Sequence, residues 1–310
     1  MIVTVTLNPA FDKPLSVDRL QPGGLHRVDV GPIVPSGKGI NVSRVLRRWG
    51  VATKAVIMAG EGQTALVRSL TAEEIPCRVV PVAGQVRMNI KLFETAFGRM
   101  TELNEPGPLV EEADVQQLEN ALTEECVGAR LVVFAGSLPV GAAPDLYSRL
   151  LNLVTRLGCK AALDTSGPAL RLAAQERLYA LKPNYREALE LCGYPVGATP
   201  SVVELLSSLA KLDVEHLILT LGGDGAYFFA GSQLVRTIPP QVKVGNTAGA
   251  GDSVLATYLA GLELGWSLAE RAAKATAAGT AAVQGLGTGL CTPEAAEALL
   301  PRVTTQILAY

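Results

Sequence analysis

The chain has 310 residues, 48% of them hydrophobic and 18% charged, with a formal net charge of −2. It can bury the core of one large domain, or of a domain with a smaller appendage, and it is too apolar for a disordered chain. So balanced a charge gives no support to general nucleic-acid binding, and an anionic ligand must be held by local basic groups.

Ile2–Leu7 reads as a buried strand and not as a signal peptide, because no basic region precedes a long apolar stretch. Asp12 follows Asn8-Pro9-Ala10-Phe11 and is either a turn residue or an acceptor for polyol hydroxyls. Residues 12–34 hold Pro14, Pro22, Gly23, Gly24 and Gly31 and show no helix. Pro35-Ser36-Gly37-Lys38-Gly39-Ile40-Asn41-Val42 is a glycine-rich entry into a helix, with the charge of Lys38 and the amide of Asn41 in its first turn. It lacks Walker A spacing and reads as a small-ligand site or as a tight turn with an Asn near the cap. That helix shows Val42, Val45, Leu46 and Trp49 on one face and stops at Gly50. A strand follows at Lys54–Ala59.

Residues 85–103 alternate. Arg87, Asn89 and Lys91 share one strand face, and Val86, Met88, Ile90 and Leu92 share the other. Ala96-Phe97-Gly98-Arg99 turns back into Met100–Leu103. With residues 12–34, this segment predicts a small antiparallel sheet projecting over the main domain; the alternative is an edge extension of the main sheet. Its polar face would meet a charged ligand, and its apolar face needs cover, as from a second subunit.

Further apolar runs predict strands at Leu131–Ala135, Lys160–Leu163, Tyr179–Leu181 and His216–Thr220. Helix-period segments lie at Leu146–Leu157, ended by Gly158, and at Leu205–Leu212. Gly136 and Ser137 follow the first of these strands. Lys182-Pro183-Asn184-Tyr185-Arg186-Glu187 starts a helix, and Asn184 and Glu187 three apart either orient waters around Mg²⁺ or cap that helix. Leu219–Ala226, with Gly222, Gly223 and Gly225, is a hairpin or a nucleotide-phosphate contact.

Asn246-Thr247-Ala248-Gly249-Ala250-Gly251-Asp252-Ser253 enters another helix pattern at Val254, Leu255, Tyr258, Leu259 and Leu262. Such a turn points backbone N–H groups into one hollow at a helix N-terminus and favours anions. A carboxylate beside that hollow makes sense if Asp252 takes a proton from an attacking hydroxyl while the N–H groups hold phosphoryl charge. The plainer reading is a glycine turn with Asp252 near a cap. Ala272–Leu290 is rich in Ala and Gly, but Lys274 and Gln284 break it, so no spanning helix is expected. Five widely spaced cysteines without a CxxC pair, and two histidines, predict small core residues in a reducing cytoplasm and no zinc site or disulfide framework. The alternation of strands and helices predicts a mainly parallel α/β sheet covered on both faces, with ligands beyond the C-terminal strand ends.

Together and in this order, these motifs resemble the PfkB-type carbohydrate kinases, nearest the branch of 1-phosphofructokinases and tagatose-6-phosphate kinases. The carrying segments are Thr6–Asp12, Gly37–Leu46, Arg87–Leu92, Gly136–Pro139, Lys182–Glu187 and Gly249–Ser253. Ser36, Ala248 and Thr257 depart from the usual family residues, and Thr257 is expected to alter helix packing. The resemblance implies a ribokinase-like three-layer α/β sandwich with a small β-sheet lid. Residues 1–11, 35–84 and 104–310 would form the main nucleotide- and sugar-binding domain, and residues 12–34 and 85–103 the lid, which often pairs across a homodimer.

The implied roles are these. Asp252 is the base, and Gly249, Ala250 and Gly251 form the anion hole. Asp12, Gly37, Gly39, Asn41 and Ser137 face the sugar, while Lys38, Arg87 and Arg27 take its existing phosphate. Lys182, Asn184, Thr220, Gly222 and Gly225 line the ATP site, and Glu187 with Asn184 places Mg²⁺ through water. The implied activity is ATP-dependent phosphorylation of fructose 1-phosphate at the 6-hydroxyl in the cytoplasm, a preference resting on Thr101–Pro108. The alternatives are a tagatose-6-phosphate kinase, a 6-phosphofructokinase or a non-catalytic sugar-phosphate sensor. Arg87, Asn89 and Lys91 on one face argue against a neutral substrate, as for a ribose or nucleoside kinase.

Overall fold

Successive residues of a strand point to opposite faces, and here both faces are apolar. The computed structural model describes residues 1–195, 197–285 and 289–309. Strand β1 (Ile2–Thr6) leads to β2 (Ala10–Val17), β3 (Asp29–Val30), β4 (Val34–Ser36), α1 (Lys38–Arg48), β5 (Thr53–Glu61), α2 (Gln63–Ala72), β6 (Cys77–Gln85), β7 (Arg87–Glu94) and β8 (Arg99–Asn104). Then come α3 (Glu112–Glu125), β9 (Leu131–Ala135), α4 (Leu146–Arg156), β10 (Lys160–Asp164), α5 (Gly167–Ala173), β11 (Leu178–Leu181), α6 (Tyr185–Leu191), α7 (Val202–Leu209) and β12 (Val214–Thr220). The chain continues through β13 (Ala226–Ala230), β14 (Gln233–Ile238), α8 (Ala250–Glu263), α9 (Leu268–Ala282), α10 (Pro293–Leu299) and β15 (Thr304–Ala309).

The main sheet runs β15-β14-β13-β12-β11-β10-β9-β1-β5-β6. It is parallel from β6 to β12 and antiparallel from β12 to β15. Val3, Val5, Val132, Phe134, Ala161 and Leu163 enter one core with α3, α4, α5 and α7. Their strand neighbours Ile2, Leu131, Val133 and Ala162 enter the other core with α1, α8 and α9. Two helical layers therefore sandwich one sheet. Helices α1 and α4 end before Gly50 and Gly158, as their patterns predict. Thr257 is fully buried and its Oγ1 accepts from Trp49 Nε1–H at 3.0 Å, so this departure ties α8 to the end of α1. Cys126, Cys159 and Cys291 are buried. Ala272–Leu290 begins inside α9, and its residues 286–288 lie outside the described set. Among the described residues, no helix is long and apolar enough to cross a membrane.

The second sheet, β3-β2-β7-β8 with β4 beside β2, is mixed and not antiparallel as expected. Strands β2 and β7 run parallel, from Ala10 opposite Arg87 to Val17 opposite Glu94. The cause is topological. Strands β1 and β6 run in the same direction, and each continues from its C-terminal end into the second sheet, so β2 and β7 set out from the same side. The β7–β8 hairpin and the β2–β3 and β2–β4 pairs are antiparallel.

Helix α1 crosses β1 so closely that a Cβ on Gly39 would lie 2.7 Å from Val5 O and clash with Thr6 Oγ1. Gly39 is thus a packing residue, and it lies outside the site cavity described below. Overpacking costs about 1–3 kcal/mol. Gly39→Ala should lower the melting temperature by several degrees in a thermal scan; an unchanged Tm would show that α1 can yield.

Candidate active site

The parallel strands end on one side of the sheet, and the second sheet stands over the same side. Between them lies a cavity of ≈ 970 Å³. Of the residues singled out in the sequence, Asp12, Gly37, Lys38, Asn41, Arg87, Lys182, Asn184, Thr220, Gly222, Gly225, Gly249, Ala250, Gly251 and Asp252 line it. Arg27, Ser137 and Glu187 are not in its lining; Arg27 and Ser137 are exposed.

Helix α8 supplies one end of the cavity with its first turn. Gly249 is its N-cap in the left-handed conformation, φ 84°, which a glycine adopts without strain. Asn246 Oδ1 accepts the Ala248 N–H at 3.0 Å and fixes the turn before it. The Ala250 N–H turns to Thr247 O and the Ser253 N–H to Gly249 O; among the described residues, Gly251 and Asp252 have no backbone acceptor. Those two first-turn donors, and not the Ala250 N–H expected with them, lie open at the positive end of the helix dipole, where an anion is favoured.

Asp252 is 5% exposed. Asn41 Nδ2 donates to its Oδ2 at 2.7 Å, and Lys38 Nζ lies 3.7 Å from its Oδ1. Asn41, expected on the sugar, therefore holds the carboxylate. Burial pushes the Asp252 pKa above the usual carboxylate range, the charge of Asp164 adds to that, and Lys38, Asn41 and Lys182 pull against it. A base with a raised pKa accepts a proton more readily at neutral pH. On acidification, kcat should fall through a limb above the ordinary Asp range. Asn41→Ala removes a hydrogen bond to the ionised form, so that limb should move to still higher pH. A pH profile of kcat at saturating substrates checks both shifts, and an Asn41→Ala limb moving to lower pH would contradict the assignment.

Asp164 was missed in the sequence. It ends β10 one residue beyond the strand expected at Lys160–Leu163, with no motif to announce it. Its buried carboxylate meets Lys38 Nζ at 3.3 and 3.2 Å and Lys182 Nζ at 3.3 Å. Burial would raise its pKa, but the two lysines outweigh that and hold it below the usual range. Burial likewise works against the Lys38 charge, and Asp164, Asp252 and Glu187 outweigh it, so the Lys38 pKa is raised. Lys38, expected beside Arg87, instead has its ammonium between Asp164 and Asp252.

The opposite end of the cavity belongs to the second sheet. Asp12 is buried, with Asn89 Nδ2 donating to Oδ1 at 3.0 Å and Lys91 Nζ 3.2 Å from Oδ2. Asn89 and Lys91 do share a face with Arg87, but Asp12 balances the Lys91 charge. Arg87 keeps its own. Its Nε and Nη2 donate to Asn8 O at 3.3 and 3.2 Å, and its Nη1 donates to Glu105 O at 3.1 Å. Two backbone carbonyls so fix the guanidinium while further N–H groups stay available.

Where α6 and the β12–β13 turn border the cavity, Asn184 Oδ1 accepts from the Glu187 N–H and Glu187 Oε2 from the Asn184 N–H, both at 2.9 Å, so these residues cap α6. The Leu219–Ala226 segment is a hairpin turn, and it also borders the cavity through Gly222, Gly223, Asp224 and Gly225. Among the described residues, no group of three or more His, Cys, Asp or Glu side chains is arranged to hold a metal ion by itself.

The sequence profile of the pfkB family carbohydrate kinases matches residues 8–295. A 1-phosphofructokinase of Bacillus subtilis is 34% identical over 306 residues, which cover 98% of each chain. A 1-phosphofructokinase of Rhodobacter capsulatus is 34% identical over 309 residues, 99% of this chain and 98% of that one. The crystal structure of phosphofructokinase-2 from Escherichia coli in complex with substrates and products superposes with a TM-score of 0.89 at 28% identity, covering 97% of this chain and 98% of that one.

Proposed function

The chain belongs to the pfkB family of carbohydrate kinases, and from that premise we propose that it transfers the γ-phosphoryl group of ATP to the 6-hydroxyl of fructose 1-phosphate, giving fructose 1,6-bisphosphate. The observation that carries the reaction is Asp252 in the first turn of α8, beside open backbone donors and the two lysines held by Asp164. The substrate choice draws on relatives named 1-phosphofructokinase that match nearly the whole chain.

Asp252 takes the proton of the attacking hydroxyl, held in orientation by Asn41. The open N–H groups of Gly251 and Asp252, at the end of the Gly249-Ala250-Gly251 turn, receive the phosphoryl oxygens. Arg87 takes the phosphate already on the sugar, and Asp12 faces its hydroxyls. Lys182, Asn184, Thr220, Gly222 and Gly225 border the nucleotide. Mg²⁺ would be an ion carried on the ATP phosphates, where it would neutralise their charge; Asn184 and Glu187, whose side chains cap α6, would have to turn from that cap to reach its waters. Residues 12–34 and 85–103 act as a lid over the main domain. Leu25, Val30 and Ile33 are exposed on the first lid segment, which supports pairing of two lids in a homodimer. Arg27 lies in that same segment, outside the cavity of its own chain.

The likeness to phosphofructokinase-2 keeps a 6-phosphofructokinase as the second reading. Phosphorus NMR of the product separates the two. Incubation with MgATP and fructose 1-phosphate should give ADP and a bisphosphate with a new C6 phosphoester resonance. Turnover of fructose 6-phosphate with none of fructose 1-phosphate would assign the second reading instead.

A further inference from the structure

One buried carboxylate has no part in the reaction as proposed. Asp164 has a 0% exposed side chain and is shared by two ammoniums, with Lys38 Nζ 3.2 Å from Oδ2 and Lys182 Nζ 3.3 Å from Oδ1. The lysines come from separate elements. Lys38 opens α1, and Lys182 follows β11, whose Leu181 pairs with Leu163 so that Asp164 and Lys182 leave the sheet side by side. From this shared anchor the ammoniums reach different places. Lys38 Nζ lies 3.7 Å from Asp252 Oδ1. Lys182 Nζ lies against the anion turn, 3.2 Å from where a Cβ on Gly251 would sit.

Stability does not explain such a group, since a buried ion pair often gives no more stability than an apolar replacement. A lysine is a point charge on a flexible stem, and it needs an anchor to stay in one place. Here a single carboxylate anchors two lysines, one on each side of the point where hydroxyl and phosphoryl group would meet.

Resting on the kinase reading above, we propose that Asp164 is a positioning residue: it clamps Lys38 on the side of the attacking hydroxyl and Lys182 on the side of the anion turn, so that both ammoniums flank the transferred phosphoryl group. Charge spreads over the equatorial oxygens of that group during transfer, and fixed cations there act without rearranging at the moment of reaction. Without the clamp, neither ammonium has a fixed place beside the transferred group. Asp164 itself makes and breaks no bond.

Asp164→Asn keeps the shape and removes the charge. Loss of hydrogen bonds to a charged group should lower kcat about 10- to 100-fold, while KM for ATP and for fructose 1-phosphate stays within a few-fold. A second readout needs no turnover. Acetylation by an N-hydroxysuccinimide ester, followed by peptide mass spectrometry, should label Lys38 several-fold faster in the variant, because the carboxylate that holds its ammonium and favours the charged form is gone. Lysines remote from the site, such as Lys211, serve as the reference. Asp164→Glu keeps the charge one methylene out of place and should give an intermediate kcat with Lys38 still protected; it carries the test if Asp164→Asn does not fold. Wild-type kcat in either variant, a loss confined to KM, or unchanged Lys38 labelling in Asp164→Asn would overturn the clamp. If the wild type phosphorylates none of the sugars, the kinase reading fails, and the labelling still reports on the clamp.

Discussion

Asp252→Asn should leave a folded protein that binds ATP and turns over about 10²–10⁴-fold more slowly, the usual worth of a general base. The substitution keeps the side chain's volume in a site that is 5% exposed, so packing should hold. It removes acceptance of the hydroxyl proton, together with the negative charge that faces Lys38. The neighbouring lysines then face one carboxylate where they faced two. Affinity for the anionic nucleotide should therefore not fall. Calorimetry with a non-hydrolysable ATP analogue, beside steady-state rates, separates binding from chemistry. Turnover within a few-fold of wild type would remove Asp252 from the role of base.

Arg87→Ala should raise KM for fructose 1-phosphate about 10- to 100-fold, the worth of one or two charged hydrogen bonds, and change KM for ATP much less. Three backbone-directed bonds already fix the guanidinium, so its remaining donors are pre-placed for two phosphate oxygens. Burial lowers the Arg87 pKa and Asp12 opposes this, yet an arginine stays charged at working pH. Lys91 offers no substitute, because its ammonium is paired with Asp12. An equal rise in both KM values would point to a collapse of the lid and away from a phosphate grip.

The parts of this site that follow from local chain chemistry were legible in the sequence. The glycine turns at residues 37–39 and 249–251, the strand ends carrying Lys182 and Thr220, and the alternation of Arg87, Asn89 and Lys91 all depend on near neighbours. Partners across the fold were not legible. Strand period places Lys91 on a face but does not reveal that β2, brought alongside by a parallel crossover, presents Asp12 to it. The same limit hid Asp164, whose meaning comes from Lys38, 126 residues away. It also misassigned Gly39, which is tight against β1 and not open to a ligand, and Lys38, which the fold turns towards Asp252. The mixed character of the second sheet was missed for a related reason: hairpin signals are local, whereas the parallel β2–β7 pair depends on where β1 and β6 end in the main sheet.

The central claim is that the cavity activates a hydroxyl on a sugar already gripped by its phosphate. Its most direct test is kcat/KM of the unaltered protein with MgATP for fructose 1-phosphate and for unphosphorylated fructose, measured side by side. The phosphate grip predicts a preference for fructose 1-phosphate of about 10-fold or more, the least that a charged hydrogen bond to Arg87 should provide. Equal kcat/KM for the two sugars would contradict it.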